Sequence, residues 1–239
     1  MKKTINIKDN LQRCIRGIIF ITIALLWNNA VRAQTPPYFK GTGTSTNTIP
    51  MNTGGSHCQQ IYTPTDFNTV PISGLITKIY FRNNVAGGSG TYNNFEVSFL
   101  QNALTAFPST TFLTGFTNAL SSPSLLINGN AVSGGWYEIP LNTPFLYDNS
   151  QTLIVEIKYT SKTGGMSGYT TTASGNKRLS IITAPGPATG NLSTIWGDFG
   201  MEVIPAGGCV SPPTPGASTA NPNSGLCLGN NIALNLSGN

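Results

Sequence analysis

His57 is the only histidine in the chain, so any imidazole-dependent nucleophilic chemistry must pass through it. Its neighbour Cys58 is the nearest thiol. Consecutive side chains on a strand point to opposite faces, which makes a His57–Cys58 dyad geometrically poor. Asp66 lies nine residues further on, and no nucleophile-elbow spacing surrounds a serine. His57 therefore reads as a structural or surface residue, and the chain as non-enzymatic.

The carboxylates give the same reading. Glycoside cleavage needs two carboxyls about 5–10 Å apart across a cleft. Glu96 and Glu156 fall mid-strand on polar faces, Asp148 in a turn and Asp198 near a strand start. Nothing in their spacing selects a pair, and outward charges on strands are routine. Asp148-Asn149 or Asp198, with backbone carbonyls, are candidate hard-oxygen ligands for calcium. No EF-hand or nonapeptide signature supports either. The chain has no CxxC spacing, which argues against zinc. Calcium is left as an open candidate, and no other cofactor is expected.

Trp136, Tyr137 and Tyr92 are the candidates for a flat sugar-stacking platform, with Trp196 a further one. The competing reading is core packing. Trp136 with Ile139 and Leu141 suits a strand entering the core, and Trp196 before Gly197-Asp198 suits a cap over one end.

Strands must position these residues. Charged residues make up only 9% of the chain, too few for exposed helix faces, which lean on Glu, Lys and Arg. Gly74–Arg82 alternates, with Leu75, Thr77, Ile79 and Phe81 on one face and Ile76, Lys78, Tyr80 and Arg82 on the other. Asn94–Gln101 groups Phe95, Val97 and Phe99 against Glu96 and Ser98. Thr152–Thr160 turns Leu153, Val155, Ile157 and Tyr159 inward, with Glu156 and Lys158 outward. Weaker strands are expected at Thr42–Pro50, Cys58–Tyr62, Ser124–Ile127, Trp136–Leu141, Arg178–Thr183 and Phe199–Ile204. A short helical turn is expected at Thr63–Asn68, with Pro64 at its first position. About nine strands joined by Gly-, Asn- and Pro-rich turns predict an all-β fold: a two-sheet antiparallel sandwich, jelly-roll-like, over residues 34–205.

Charge is distributed unevenly. Before Gln34, six basic residues stand against Asp9 alone; from Gln34 onward, seven basic residues balance seven acidic ones. Arg13 and Arg16 precede an 11-residue apolar run, Gly17–Trp27, and Val31 and Ala33 come after it as small residues at a cleavage site. A spanning helix needs roughly 20 apolar residues, so residues 1–33 read as a cleaved signal peptide rather than an anchor. Cys14 precedes the apolar run, where a lipoprotein cysteine would not lie. The neutral remainder lacks the basic surface that nucleic acid or anionic lipid requires. The lone basic pair Lys177-Arg178 reads as a solvated strand start. A secreted or cell-surface location is expected, without membrane insertion after cleavage.

Residues 206–239 form a Pro/Gly-rich connector and then an alternating run with Ile232, Leu234 and Leu236 on one face. One or two strands cannot bury a core, so this segment reads as the start of a second β domain whose remainder lies beyond Asn239.

The tail CVSPPTPGASTANPNSGLCLGNNIALNLSG resembles the start of the Ig-like domains in large secreted surface proteins of gliding bacteria. The stretches GTGTSTNTIPMN, QQIYTPTDF, ITKIYF, WYEIPLNTPFLYD and TLIVEIKY are similar to an N-terminal sandwich module of such proteins. The resemblance covers most of the chain after residue 33, and its motifs are structural rather than catalytic. It implies type IX secretion and further domains downstream. It also implies that Cys209 and Cys227 pair with partners beyond Asn239; a direct Cys209–Cys227 disulfide is the alternative. Cys58 reads as a buried free thiol.

Two functions are expected from this. The first is a non-enzymatic structural or adhesion module whose partner is an extracellular glycan or surface protein. The second is a carbohydrate-binding accessory module of a secreted hydrolase. Burial of Trp136, Tyr137 and Tyr92 would count against the second.

Overall fold

The computed structural model describes residues 35–206 in full, and the backbone alone of residues 219–221 and 233–235. The chain divides between Ala33 and Gln34, and all the described strands belong to the unit from Gln34 onward. The expected signal peptide, Cys14, Cys209 and Cys227 lie outside the described residues.

The strands are β1 (Tyr38–Lys40), β2 (Ser45–Asn47), β3 (Ser56–Tyr62), β4 (Gly74–Arg82), β5 (Ser89–Asn102), β6 (Thr117–Asn128), β7 (Trp136–Tyr147) and β8 (Thr152–Tyr159). They continue with β9 (Ser161–Gly164), β10 (Gly168–Thr172), β11 (Arg178–Ile181), β12 (Asn191–Ser193), β13 (Ile195–Gly197) and β14 (Phe199–Pro205). A last pair, β15 (Thr219–Asn221) and β16 (Ala233–Asn235), is antiparallel, with Ala220 opposite Leu234. The expected alternating run over residues 226–236 is described only at β16.

The fold is an all-β sandwich. One sheet has the order β1-β14-β4-β7. The other runs β12-β11-β3-β8-β5-β6, with β9 added beside the first half of β5. The three-stranded sheet β13-β10-β2 accompanies them. Every named pairing is antiparallel, and the chain passes repeatedly between the two large sheets.

The inward residues of both sheets make one core. From the larger sheet come Tyr62, Phe95, Val97, Phe99, Leu153, Val155, Ile157 and Tyr159. From the other come Ile76, Ile79, Phe81, Tyr137, Ile139, Phe199, Met201 and Val203. The faces expected of β5 and β8 are the faces that are buried. β4 departs from simple alternation, because Ile76, Ile79 and Phe81 all reach this core. The register slips at Thr77 against both neighbours, so a bulge switches which parity faces inward.

A second kink lies in β5. Asn94 has φ 51, the left-handed region that asparagine tolerates better than most residues. It stands opposite Pro123, between the pairs Asn93↔Ser124 and Phe95↔Ser122. Here β5 exchanges β9 for β8 as its partner. The expected helical turn forms at Pro64–Asp66, and the Asp66 carboxylate accepts the Thr63 N–H at 2.6 Å.

Two charge expectations are corrected. Lys177 and Arg178 are buried, not solvated. Lys177 donates to Asp66 at 3.3 Å with its ammonium 5.1 Å from the Trp196 ring centroid, and Arg178 donates to Ser193. Asp198 is likewise buried, between Lys40 (3.0 Å) and Arg82 (3.2 Å), and accepts the Gly43 N–H. Burial pushes the Lys40 ammonium below its ordinary range although Asp198 opposes the shift.

Candidate functional site

The outward face of the larger sheet is where polar chemistry gathers. The strand registers place His57, Lys158, Glu96 and Ser121 on one rung, and Gln59, Glu156, Ser98 and Asn118 on the next. On the rung beyond, the same strands present Ile61, Ile154 and Leu100. Three adjacent strands thus change from apolar to polar at the same level.

The β5–β6 connection, residues 103–116, folds back over this face. Phe107 and Phe112 bury themselves against Ile61, Ile154 and Leu179, and Leu104, Leu113 and Phe116 pack around them. This second, smaller core covers the apolar rung. The connection is held by its neighbours: the Phe112 N–H donates to Ala188 O at 3.0 Å, and the Gly190 N–H donates to Thr110 O at 2.8 Å. From the sheet below, the Gln59 amide grips Leu113 on both sides. Its Nε2 donates to Leu113 O at 3.0 Å, and its Oε1 accepts the Leu113 N–H at 3.1 Å.

Over the polar rungs a cavity of about 740 Å³ remains. Its floor is His57, Glu96, Ser98, Glu156 and Lys158. Its walls are Thr111–Phe116 on one side, Pro187 and Ala188 on another, and Asn118 and Ser121 on β6.

His57 and Glu156 are drawn together at 2.7 Å (Nε2 to Oε1), although they occupy different rungs. The imidazole lies flat against Phe112, with ring centroids 3.6 Å apart. Glu156 also accepts from Gln59 Nε2 at 2.8 Å and pairs with Lys158 at 3.3 Å. Burial alone would raise its carboxyl. The bonds from His57 and Gln59 and the charge of Lys158 outweigh it and hold the group below its ordinary range. Burial likewise opposes the Lys158 charge, but Glu96 at 3.0 Å and Glu156 hold the ammonium above its ordinary range.

In this arrangement the imidazole is engaged by a carboxylate on its edge and a phenyl ring on its face. Among the described residues, no hydroxyl or thiol hydrogen-bonds the imidazole. Cys58 faces the other side of the strand, fully buried, and desolvation pushes its thiol up to about 12.

The sequence expectations fare unevenly. Glu156 is not a solvated outward charge: the 103–116 connection covers it. Its pairing with His57 leaves no trace in the sequence, since the two residues lie 99 positions apart. Of the two readings of the aromatic residues, their burial fits core packing. Tyr92, Tyr137 and Trp136 are 0%, 4% and 9% exposed and are not brought together as an open row. Tyr92 and Tyr137 enter the core, where rings contribute large buried area. The Tyr92 hydroxyl donates to Met51 O at 2.7 Å. Trp136 packs on Phe39, with centroids 5.6 Å apart. Trp196 also joins the core, against Tyr62.

The calcium candidates are otherwise engaged. Asp198 already neutralises two cations. Asp148 caps its own turn through the Ser150 N–H and Gln151 Nε2, which hold its carboxyl below the ordinary range. Among the described residues, no group of three or more His, Cys, Asp or Glu side chains could hold a metal ion. No helix among them is long and apolar enough to cross a membrane. No family model, no curated protein and no solved structure matches this chain.

Proposed function

We propose that this chain is a non-enzymatic structural and adhesion module of a secreted or cell-surface protein, with residues 1–33 as its export signal. The observation that carries this reading is the state of the one imidazole. His57 is held by Glu156 through one ring nitrogen and face-on by Phe112, and neither contact is a hydroxyl or thiol. In a hydrolytic triad the carboxylate-held imidazole also bonds a hydroxyl or thiol, and among the described residues His57 makes no such bond. The even balance of charge after residue 33 supports a module that works through neutral polar contacts. The likeness of residues 209–238 to the start of Ig-like domains supports a place beside further domains, exported by the type IX route.

Export and inertness are tested together. The full chain is expressed with a C-terminal epitope in a bacterial host carrying the type IX machinery, and intact cells are treated with protease. The expected result is epitope loss from intact cells and a mature N-terminus at Gln34. Retention of Met1 inside the cell overturns the export reading. Turnover of nitrophenyl esters or glycosides that His57→Ala abolishes overturns the non-enzymatic one.

A carbohydrate-binding accessory role is the second reading. The aromatic rings expected to carry it are buried; the cavity over the polar rungs is what favours it.

A further inference from the structure

The cavity on the outward face is formed by residues that do not stand out in the sequence as a group. We propose that it binds a stretch of uncharged, polyhydroxylated ligand, that is, a neutral glycan. Glu96 would accept from it, Lys158 would donate to it, and Ser98, Asn118 and Ser121 would do either. This inference rests on the reading of the chain as an adhesion module and names the chemistry of its ligand.

The floor has the wrong chemistry for a mere support. A sheet face that only carries a covering loop gains most by being apolar throughout, because polar groups under cover lose hydration. The face does obey that logic at Ile61, Ile154 and Leu100, where Phe107 and Phe112 sit down on it. One rung on, all three strands turn polar together; there Gln59 and His57 touch the covering segment, while Glu96, Ser98 and Lys158 line open space beside it. The result is a cavity of about 740 Å³, within the range of roughly 300–1,000 Å³ typical of small-ligand sites.

The walls are rigid. Leu113 is gripped on both sides by Gln59, and residues 110–112 are clipped to residues 188–190. Glu156 and His57 lock the lower part of the floor. The cavity is therefore shaped before a ligand arrives, which lowers the ordering cost of binding.

Charge selects the class of ligand. Lys158 stands between Glu96 and Glu156, at 3.0 and 3.3 Å. An anionic ligand would meet both carboxylates; a cationic one would find them already paired and Lys158 in the way. A hydroxyl both donates and accepts, so it can bond to Glu96 and Lys158 without disturbing their pairing. The Glu96 and Lys158 side chains keep 38% and 27% exposure, enough to meet a ligand, whereas Glu156 keeps 6%. Leu113 and Phe116 on the wall add apolar surface for the C–H faces of a sugar ring.

The chain from Gln34 onward is applied to a glycan array that includes uncharged, sialylated, sulfated and uronate-bearing chains. Two variants fill the cavity from opposite walls at exposed positions, Ser121→Trp and Thr114→Trp. Circular dichroism and the urea midpoint confirm that each is folded. The expected result is binding to one or more uncharged glycans, weakened about tenfold or more by each folded variant. Absence of binding to every uncharged glycan overturns the inference. So does binding that both folded variants leave unchanged, or binding that is tightest for the anionic chains. Protease treatment of intact cells reads export separately, so a protein that is exported but binds no glycan defeats this inference alone.

Discussion

His57 Nε2 meets Glu156 Oε1 at 2.7 Å across a diagonal of the sheet, because each residue's direct cross-strand partner is another polar side chain. Lys158 faces His57, and Gln59 faces Glu156. His57, Gln59 and Lys158 share the one Glu156 carboxylate, and Glu156→Ala would leave the imidazole without its partner under the covering loop, while Gln59 keeps Leu113 O and Lys158 keeps Glu96. The expected cost is about 3 kcal/mol, seen as a lower midpoint in urea unfolding.

The same carboxylate gives the protein an acid limit. Its hydrogen bonds and Lys158 hold it ionised below the ordinary glutamate value of 4.5. Its contribution is therefore fully present above the unfolded pKa and is lost as pH falls through the lower, folded value. The stability gap between the wild type and Glu156→Gln should be constant near neutral pH and narrow below about pH 4.5. Urea midpoints measured across that range check it; a gap that widens on acidification would contradict the assignment.

Phe112 links the covering connection to the imidazole. Phe112→Ala removes a buried ring from the smaller core and uncovers His57. The expected loss is about 3 kcal/mol. Amide exchange should accelerate most over residues 103–116, with little change in β8. Uniform acceleration across both sheets would show that the two cores unfold as one.

Cys58 should behave as an inert thiol. It is fully buried, and its thiol is pushed up to about 12. Alkylation at neutral pH, mapped to this residue by mass spectrometry, should run on the order of a thousandfold slower in the native protein than in urea. Comparable rates in the two states would place the residue at an accessible surface.

Asp198 ties three segments together: Lys40 on β1, Arg82 at the end of β4, and the backbone at Gly43. Asp198→Ala leaves the Lys40 ammonium buried without its partner. The expected cost is roughly 4 kcal/mol, with no loss of function beyond that of the unfolded fraction. Thermal unfolding of the variant beside Asp198→Asn, which keeps the shape, separates lost charge from lost packing.

Strand periodicity reveals the sandwich because one face of each central strand is almost purely apolar, as in Phe95-x-Val97-x-Phe99 and Leu153-x-Val155-x-Ile157-x-Tyr159. It misjudges the other face. Alternation distinguishes two sides but not whether a distant loop covers the second one. A signal is present in Ile61, Ile154, Leu100 and Leu179, apolar side chains on supposedly solvated positions. It is matched by Leu104, Phe107, Phe112, Leu113 and Phe116 crowded into one connection. The pocket needs cross-strand register, which sequence spacing does not contain. Bulges hide the rest: at Thr77 a slip of one position places Ile76 and Ile79 on the same side, against any strict period of two. The buried aromatics Tyr92 and Tyr137 show that ring composition alone does not separate a binding surface from packing.

Pro123 sits within β6, the last strand in its sheet order, opposite the left-handed Asn94. A proline has no N–H to give, so a foreign strand laid along that rim meets a missing rung halfway. At high local concentration such a gap would disfavour copies of the protein zipping edge to edge along that rim.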